Sequence, residues 1–564
     1  MRIVRIPIVR IPIFVFRDPS ALIAVVSAPF RALLTFACLL LALPVLGVLS
    51  AWLAVDEASW AGLRHQWQTV LPGYAVQSLL LAGGVGVGVM VLGSALAVMV
   101  TLFEFPGRRV LEWALLLPLA MPAYVLAYAW TDALQFSGSL QTALRQLLGV
   151  RSALWGDVRS LPGAVVLFVL CLYPYVYLLV RAALGERAVR LMEAARLLGA
   201  PMRRRVLEVA LPMARPAVAA GTALALMETL ADYGVGSYFG LTTFSTGIYK
   251  AWLVMGDRLA AAQLAAVLLV VVAVLLTAER HAQRRLRFAA GGQGAGASEA
   301  RALLLRGAPA WALTAVCSLP VLLGFVLPVG WLVHLLVQEA RYAELGLPMA
   351  RFVGWAFSSF KLAGLAALLA TVLALAVAFA LRRGEGRLLP FAARVLSLGY
   401  AVPGAVVAVG LLLPLAWVQQ RWPESGAAAW LTGGVAGLML AYLVRFSAVA
   451  LQSVEAGYAR LPLAVDETAR MLGGNGRRVF FELHLPLLRR SALAAALLVF
   501  VDVMKELPAT LVLRPFGSDT LAVVAYNLAR DERLAEAALP SLAIVAVGLI
   551  PVVMLSRALR PPAV

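Results

Sequence analysis

Five charged residues lie inside otherwise apolar stretches of the chain, where a charge is costly. Glu228 and Asp232 occupy one stretch, and Asp502, Lys505 and Glu506 occupy another. A charge near the centre of a membrane-spanning helix costs about 2.5–3.5 kcal/mol, so such residues normally face a cavity or a partner. Carboxylates in these positions could line a pathway for a cation or relay protons. Alternatively, Lys505 could neutralise a neighbouring acid, so that the cluster only locks helices together.

The spacing of these acids occurs twice. Glu228 and Asp232 recur as Asp502 and Glu506, each 274 positions later (502 − 228). Asp502 precedes Lys505 by three residues and Glu506 by four, so all three can share one helical face. The repetition predicts two equivalent halves with a passage along their shared axis. That arrangement favours a transporter, because a non-transporting scaffold would have no evident use for paired acids.

A polar loop also occurs twice with the same 274-residue spacing. It contains a glutamate, small residues, a glycine and a later Leu-Pro. It comprises Glu193, Ala194, Ala195, Gly199, Leu211 and Pro212 in one copy, and Glu467, Thr468, Ala469, Gly473, Leu485 and Pro486 in the other. Good helix formers followed by glycine predict a short helix in each loop. Such a helix suits docking into a cleft on a soluble partner. An ordinary charged loop would explain one copy, but two copies with matched spacing favour docking.

The elements that must position these residues are membrane-spanning helices. Hydrophobic residues make up 62% of the 564-residue chain, and about 20 helical residues cross roughly 30 Å of hydrocarbon. We predict an all-α integral membrane protein with about 12 transmembrane helices. The predicted spans lie near 30–53, 75–101, 111–131, 161–181, 214–235, 259–278, 309–337, 357–381, 388–417, 430–452, 490–513 and 538–557.

We interpret the net charge of +19 as a topology signal and not as a nucleic-acid-binding surface. We therefore expect membrane lipid, and no nucleic acid, as a partner. Arginines cluster in alternate loops, so the positive-inside rule places both termini and both repeated loops in the cytoplasm. Six spans per half make the halves parallel copies related by an axis along the membrane normal. The predicted division is an N-terminal tail 1–28, a first half 29–278 with its loop at 186–212, a linker 279–307, and a second half 308–564 with its loop at 460–486.

The loop resembles the signature of ABC importer permeases: Glu-Ala-Ala, three residues, Gly, nine residues, an aliphatic residue, any residue, Leu-Pro. The first copy fits throughout, with Val209 as the aliphatic residue, whereas the second has Thr468 for the first alanine and Leu483 as the aliphatic residue. The resemblance implies the type I importer permease fold, with two pseudo-symmetric six-helix halves in the bacterial inner membrane. It also implies that each loop is a coupling helix seated in an ATPase, with Glu193, Gly199, Glu467 and Gly473 as contact residues.

The partners implied by this resemblance are two copies of a cytoplasmic ABC ATPase and a periplasmic substrate-binding protein. A nucleotide-binding P-loop needs Gly-Lys followed by Ser or Thr. The chain has three lysines, Lys250, Lys361 and Lys505, and none follows glycine. We therefore expect a transport subunit that is not an enzyme and has no cofactor of its own, with ATP and Mg²⁺ on the partner ATPase.

Stretches around the membrane acids resemble ferric-iron importer permeases, namely Leu119–Val125, Met227–Gly234, Phe244–Tyr249 and Asp502–Thr510. Fe³⁺ prefers oxygen ligands, which carboxylates and tyrosines supply. Phenols lie nearby at Tyr124, Tyr128, Tyr173, Tyr175 and Tyr177, although packing explains such tyrosines more often. No histidine or cysteine spacing indicates a high-affinity metal site. A thiamine permease of the same architecture and an ion-coupled secondary transporter stay open as alternatives, although the repeated loop argues against the second.

Overall fold

The computed structural model describes residues 28–558 apart from 51, 53–56, 185–188, 291–302, 343–346, 385, 427–430 and 432–433. The described elements are helices, except for one short parallel strand pair. In that pair β1 (Phe103–Glu104) lies beside β2 (Leu303–Leu304). The pair attaches the end of the predicted linker to the first half. The predicted tail, 1–28, lies outside the described residues except for Ala28.

The first half consists of α-helices joined by short turns. Its α-helices are α1 (Ala28–Leu40), α2 (Leu43–Ser50), α3 (Glu57–Thr69), α4 (Leu71–Leu102), α5 (Arg108–Ala114), α6 (Ala123–Leu134), α7 (Ser139–Leu148), α8 (Leu161–Ala183), α9 (Val189–Leu197), α10 (Met202–Arg204), α11 (Leu211–Ala231), α12 (Gly234–Tyr238), α13 (Phe244–Tyr249) and α14 (Arg258–Ala290). A 3₁₀ turn covers Leu117–Ala120, and π-helical turns cover Arg205–Ala210 and Lys250–Val254. Helix α14 extends into the segment predicted as linker.

The second half repeats this order. Its α-helices are α15 (Ala308–Val321), α16 (Leu327–Tyr342), α17 (Met349–Arg382), α18 (Leu388–Leu396), α19 (Gly404–Arg421), α20 (Val435–Tyr458), α21 (Leu463–Met471), α22 (Gly476–Arg478), α23 (Leu485–Lys505), α24 (Pro508–Leu513), α25 (Leu521–Arg530) and α26 (Leu534–Ala558). The 3₁₀ turns are Gly399–Ala401 and Pro423–Ser425, and the π-helical turns are Leu322–Val326 and Val479–His484.

Among the described residues, nine helices are long and apolar enough to cross a membrane, or eleven if two bent pairs each form one span. These eleven coincide with predicted spans. The remaining prediction, 490–513, falls on α23, which is helical but contains Arg489, Arg490, Asp502 and Lys505. The all-α membrane fold is therefore confirmed, whereas the count of twelve spans stays a prediction.

Small residues bring helices into close contact, within and between the halves. A Cβ atom at Gly88 of α4 would lie 2.3 Å from Val169 of α8. Across the halves, a Cβ atom at Gly47 of α2 would lie 2.4 Å from the carbonyl oxygen of Gly410 in α19. Small residues at helix contacts let backbones approach closely in membranes. The first helices of the chain therefore pack against the second half.

Each half also has a span that breaks at a proline. Pro122 follows the 3₁₀ turn Leu117–Ala120, and Pro403 follows Gly399–Ala401. The residue before a proline is forced into an extended conformation, and Met121 and Val402 both have it, with ψ values of 119° and 120°. Irregular backbone at membrane depth is tolerated where it lines a cavity. The two breaks should therefore mark the same cavity.

Candidate functional site

A cavity of about 180 Å³ lies between the two halves, at the breaks in their helices. All five charged residues singled out from the sequence line it. The charged and phenolic side chains around it are Glu228, Asp232, Asp502, Lys505, Glu506, Arg445, Tyr124, Tyr175 and Tyr400. The structure thus brings together residues that lie far apart in the sequence and belong to both halves.

Two of the four acids hold the backbone in place. Asp232 Oδ1 accepts a hydrogen bond from the backbone N–H of Val235 at 2.8 Å, at the start of α12. Its counterpart Glu506 accepts hydrogen bonds from the backbone N–H groups of Ala509 and Thr510, at 2.8 and 2.9 Å, at the start of α24. Helix starts leave N–H groups without intrahelical partners, and carboxylates satisfy them well. These two acids therefore fix the short helices that follow the broken spans.

Glu506 is also paired with a cation. Arg445 Nη1 donates to Glu506 Oε1 at 2.9 Å, and the Glu506 side chain is only 1% exposed. Removing one partner of a buried pair is strongly destabilising, because the other charge is left uncompensated. Arg445, which the sequence analysis missed, thus belongs to the framework of the cavity. Its signal was available, because a lone arginine within the predicted span 430–452 needs a partner.

The other two acids, Glu228 and Asp502, face the cavity differently. The Tyr400 hydroxyl donates to Glu228 Oε1 at 3.0 Å, and Tyr175 lines the same cavity. Asp502 lies three residues before Lys505 in α23 and lines the same cavity as Glu228. The two equivalent acids of the two halves therefore share one cavity.

Lys505 links the halves across this cavity. Its Nζ donates to the carbonyl oxygen of Leu119 at 2.9 Å, in the 3₁₀ turn of the first half. Tyr400 occupies the matching place in the second half, because it stands three residues before Pro403 as Leu119 stands three before Pro122. Each half thus reaches the 3₁₀ turn of the other, through different chemistry. Sequence reasoning missed Tyr400 because its counterpart is a leucine.

The tyrosines of α8 have separate roles. Tyr173 donates to the carbonyl oxygen of Leu115 and Tyr177 donates to that of Glu112, both at 2.9 Å. These two side chains hold α8 against the segment around α5, whereas Tyr175 lines the cavity. Within the part of the chain that the structure describes, no three His, Cys, Asp or Glu side chains converge as a metal site.

The second candidate site is the pair of coupling loops, 186–212 and 460–486, of which 186–188 lie outside the described residues. Helix α9 ends before Gly199 and helix α21 before Gly473, and these glycines have φ values of 78° and 76°. Only glycine adopts positive φ without steric cost. The carbonyl oxygens of Ala195 and Ala469 accept the closing hydrogen bonds from the residues after the glycines, at 3.0 and 2.9 Å. The two loops are therefore closed by the same turn.

The Leu-Pro of each motif lies inside a long helix, at a π-helical turn. The turns Arg205–Ala210 and Val479–His484 directly precede Leu211-Pro212 and Leu485-Pro486. Proline has no N–H and clashes with the preceding turn, and a π turn relieves this clash by widening the helix. The motif thus places a matched π-helical turn between each predicted coupling helix and the span that leads to the cavity.

The tip of each coupling helix is exposed and apolar. Leu197 and Leu198 are 89% and 88% exposed, and their counterparts Met471 and Leu472 are 89% and 81% exposed. Glu193 and Glu467 are also exposed and lie one helical turn before Leu197 and Met471. Exposed apolar residues rimmed by polar groups indicate a contact surface. The sequence analysis missed these four residues, although an apolar pair directly before each glycine was visible.

The two coupling helices are attached to their own halves in different ways. In the second half, Asp466 accepts a hydrogen bond from Arg382 Nε at 2.8 Å and lies 2.8 Å from His484 Nε2. Tyr458 completes this cluster, with its hydroxyl 3.2 Å from His484 Nδ1. We call these four residues the polar latch. Three of these residues, Tyr458, Asp466 and His484, have apolar and buried counterparts 274 positions earlier, namely Leu184, Met192 and Ala210.

Comparison with known proteins identifies the class of this two-half membrane protein. The model of the family described as binding-protein-dependent transport system inner membrane component matches residues 89–288. That region contains the first coupling loop and two of the cavity acids, Glu228 and Asp232. The chain belongs to this family of ABC importer permeases and is a multi-pass inner-membrane protein.

The chain is also similar to individual transport permeases. The Fe(3+)-transport system permease protein FbpB 2 of Haemophilus influenzae is 25% identical over 85% of this chain and 88% of its own length. The molybdenum transport system permease protein ModB of Escherichia coli K12 is 30% identical over 30% of this chain and 69% of its own length. The sulfate transport system permease protein CysT of Salmonella typhimurium is 28% identical over 36% of this chain and 70% of its own length. The similarity to FbpB 2 thus extends through both halves.

Proposed function

We propose that this chain is the permease subunit of an ATP-driven importer that moves ferric iron from a periplasmic binding protein to the cytoplasm. The observation that carries the proposal is the similarity to an Fe(3+)-transport permease along 85% of the chain. The relatives named for molybdenum and sulfate transport match only about a third of it.

The charges of the cavity support a cationic cargo. Four carboxylates line it, against the two cationic side chains Lys505 and Arg445. Arg445 is already committed to Glu506, so the remaining surface is acidic. An anion such as sulfate would be repelled there, because charges interact strongly where water is scarce. We therefore take Glu228, Asp232, Asp502, Lys505 and Glu506 as the walls of the translocation pathway, with Asp232 and Glu506 acting through the backbone they hold.

The coupling loops are the proposed docking sites for two ATPase subunits. The contact residues are Glu193, Ala194, Ala195, Gly199, Leu211 and Pro212, with Glu467, Ala469, Gly473, Leu485 and Pro486 in the second loop. ATP and Mg²⁺ would bind to the partner subunits, because this chain has no Gly-Lys sequence for a P-loop. Closure of the ATPases would draw the coupling helices together and turn the cavity outward. In this arrangement both termini are cytoplasmic. The linker 279–307, which joins the halves 29–278 and 308–564, is cytoplasmic as well.

Reconstitution tests the cargo and the energy source together. The chain would be placed in proteoliposomes with its cognate ATPase and binding protein, and ⁵⁵Fe³⁺ uptake would be measured with ATP, with excess thiamine, and with a proton gradient alone. We expect uptake that needs ATP and is not reduced by thiamine. Uptake of thiamine instead of iron would refute the cargo. Uptake driven by the proton gradient without ATPase would favour the secondary transporter.

A further inference from the structure

The fold leaves two acids, one from each half, for direct contact with whatever occupies the cavity. Asp232 and Glu506 are committed to the N–H groups of short helices. Glu228 and Asp502 hold no backbone N–H group in the described hydrogen bonds, and they occupy equivalent positions in α11 and α23.

These two acids bring like charges into one cavity. Glu228 lines it from the first half and Asp502 from the second. Like charges that share a site of low dielectric constant are costly unless a proton or a cation lies between them. Lys505 offsets part of this charge beside Asp502, although its Nζ also donates to Leu119. One ammonium for two carboxylates leaves the pair with an excess of negative charge.

Two phenols complete a set of oxygen donors around this pair. Tyr400 donates to Glu228 at 3.0 Å, and Tyr175 lines the same cavity. Carboxylate and phenol oxygens are hard ligands, which suit a hard, highly charged cation. The cavity of about 180 Å³ is also small, with room for an ion and a few waters.

We propose that Glu228, Asp502, Tyr175 and Tyr400 form a transient coordination site for Fe³⁺ on its way through the permease, an inference that rests on the proposed function. Glu228 and Tyr175 belong to the first half, and Asp502 and Tyr400 to the second. The site is complete only while the halves are close together, so any movement that separates them weakens it. Cargo release would thereby follow from the same movement that the coupling loops transmit.

The test separates cargo passage from energy coupling in the reconstituted complex. Glu228→Gln, Asp502→Asn and Tyr400→Phe would be compared with wild type for ⁵⁵Fe³⁺ uptake and for ATPase stimulation by the loaded binding protein. We expect each single change to lower uptake at least tenfold and the Glu228→Gln, Asp502→Asn double change to abolish it. ATPase stimulation should stay within twofold of wild type, because the coupling loops are untouched.

Two control variants remove a phenol or a carboxylate outside the proposed coordination site. Tyr177→Phe removes a phenol two residues from Tyr175 that bonds the Glu112 carbonyl, and Glu424→Gln removes an exposed carboxylate. Both should leave uptake unchanged, and Glu228→Asp should restore part of it. Wild-type uptake in the site variants, or a parallel loss of ATPase stimulation, would overturn the coordination site. Absence of ferric uptake in the wild type would instead overturn the proposed function, so the two failures are distinguishable.

Discussion

The polar latch gives a prediction whose size follows from the structure. The substitution Asp466→Ala removes the carboxylate that holds the second coupling helix to Arg382. Both side chains of that ion pair are only 10% exposed, so water cannot compensate for the loss. The first coupling helix has no comparable ion pair at its matching residue, Met192. Asp466→Ala should therefore loosen the second coupling helix and leave the first unchanged.

Breaking a buried ion pair by removing one partner costs about 3–5 kcal/mol. Arg382 keeps some of its interactions after the change, because it also donates to the carbonyl oxygens of Tyr458, Leu461 and Pro462 at 3.0–3.1 Å. We therefore expect the lower end of that range, about 3 kcal/mol of local stability. Each 1.4 kcal/mol is about tenfold in an equilibrium constant, so local opening should become roughly 100-fold more frequent.

Hydrogen exchange measures this opening directly. In lipid nanodiscs, the amides of Leu463–Met471 should exchange roughly 100-fold faster in Asp466→Ala than in wild type. Those of Val189–Leu197 should keep their wild-type rates. As a control, Glu482→Gln disrupts the ion pair between Arg478 and Glu482. These two side chains are each 64% exposed. Exposed pairs contribute little, so this control should not accelerate exchange.

A fourfold replacement tests whether the loss comes from the uncompensated charge. Changing the polar latch to apolar residues, with Arg382→Leu, Tyr458→Leu, Asp466→Met and His484→Ala, leaves no buried charge behind. Apolar replacement of a whole buried ion pair is often neutral, so this variant should exchange more slowly than Asp466→Ala. Unchanged exchange in Asp466→Ala, or equal acceleration of both coupling helices, would refute the role of the latch.

Three further predictions concern the same architecture. Glu193→Ala combined with Glu467→Ala should abolish ATP-driven uptake while the chain still inserts into the membrane; wild-type uptake would exclude the coupling role. Gly473→Val places a β-branched residue at a φ of 76°, a left-handed conformation that costs about 1–2 kcal/mol, and should weaken ATPase co-purification more than Gly473→Asn does, because asparagine tolerates that conformation. Glu506→Gln should lower the melting temperature more than Glu228→Gln, since Glu506 alone of the two pairs with Arg445; equal shifts in a thermal assay would contradict this assignment.

The sequence repeat predicted the features that the two halves share. The coupling glycines, the Leu-Pro pairs and the paired acids all follow the 274-residue spacing, and the structure places each at equivalent positions. Repeated features are visible from sequence because two independent copies exclude coincidence. Their roles in ATPase coupling and in cargo transport stay predictions, since the geometry gives the positions of these residues and not their partners.

Features that differ between the halves were not predictable in the same way. Tyr458, Asp466 and His484 of the polar latch stand where the first copy has apolar residues, and Tyr400 stands where it has Leu119. The capping role of Glu506 left a weak local signal, because an acid two residues before Pro508 suits the start of a helix. Its partner Arg445 lies 61 residues away in sequence. Such distant pairing depends on how the spans pack, which periodicity alone does not determine.

Because the two halves differ in sequence, the cavity can carry a lysine from one half only. Lys505 corresponds to Ala231 in the first half, 274 positions earlier. In a symmetric dimer of identical halves, a lysine at this position would occur twice and offset both Glu228 and Asp502. The fused chain has one lysine for two acids, so the centre of the cavity retains negative charge. If the cargo is a cation, Ala231→Lys should therefore reduce uptake more than Lys505→Met does, because it removes the charge excess on which attraction depends.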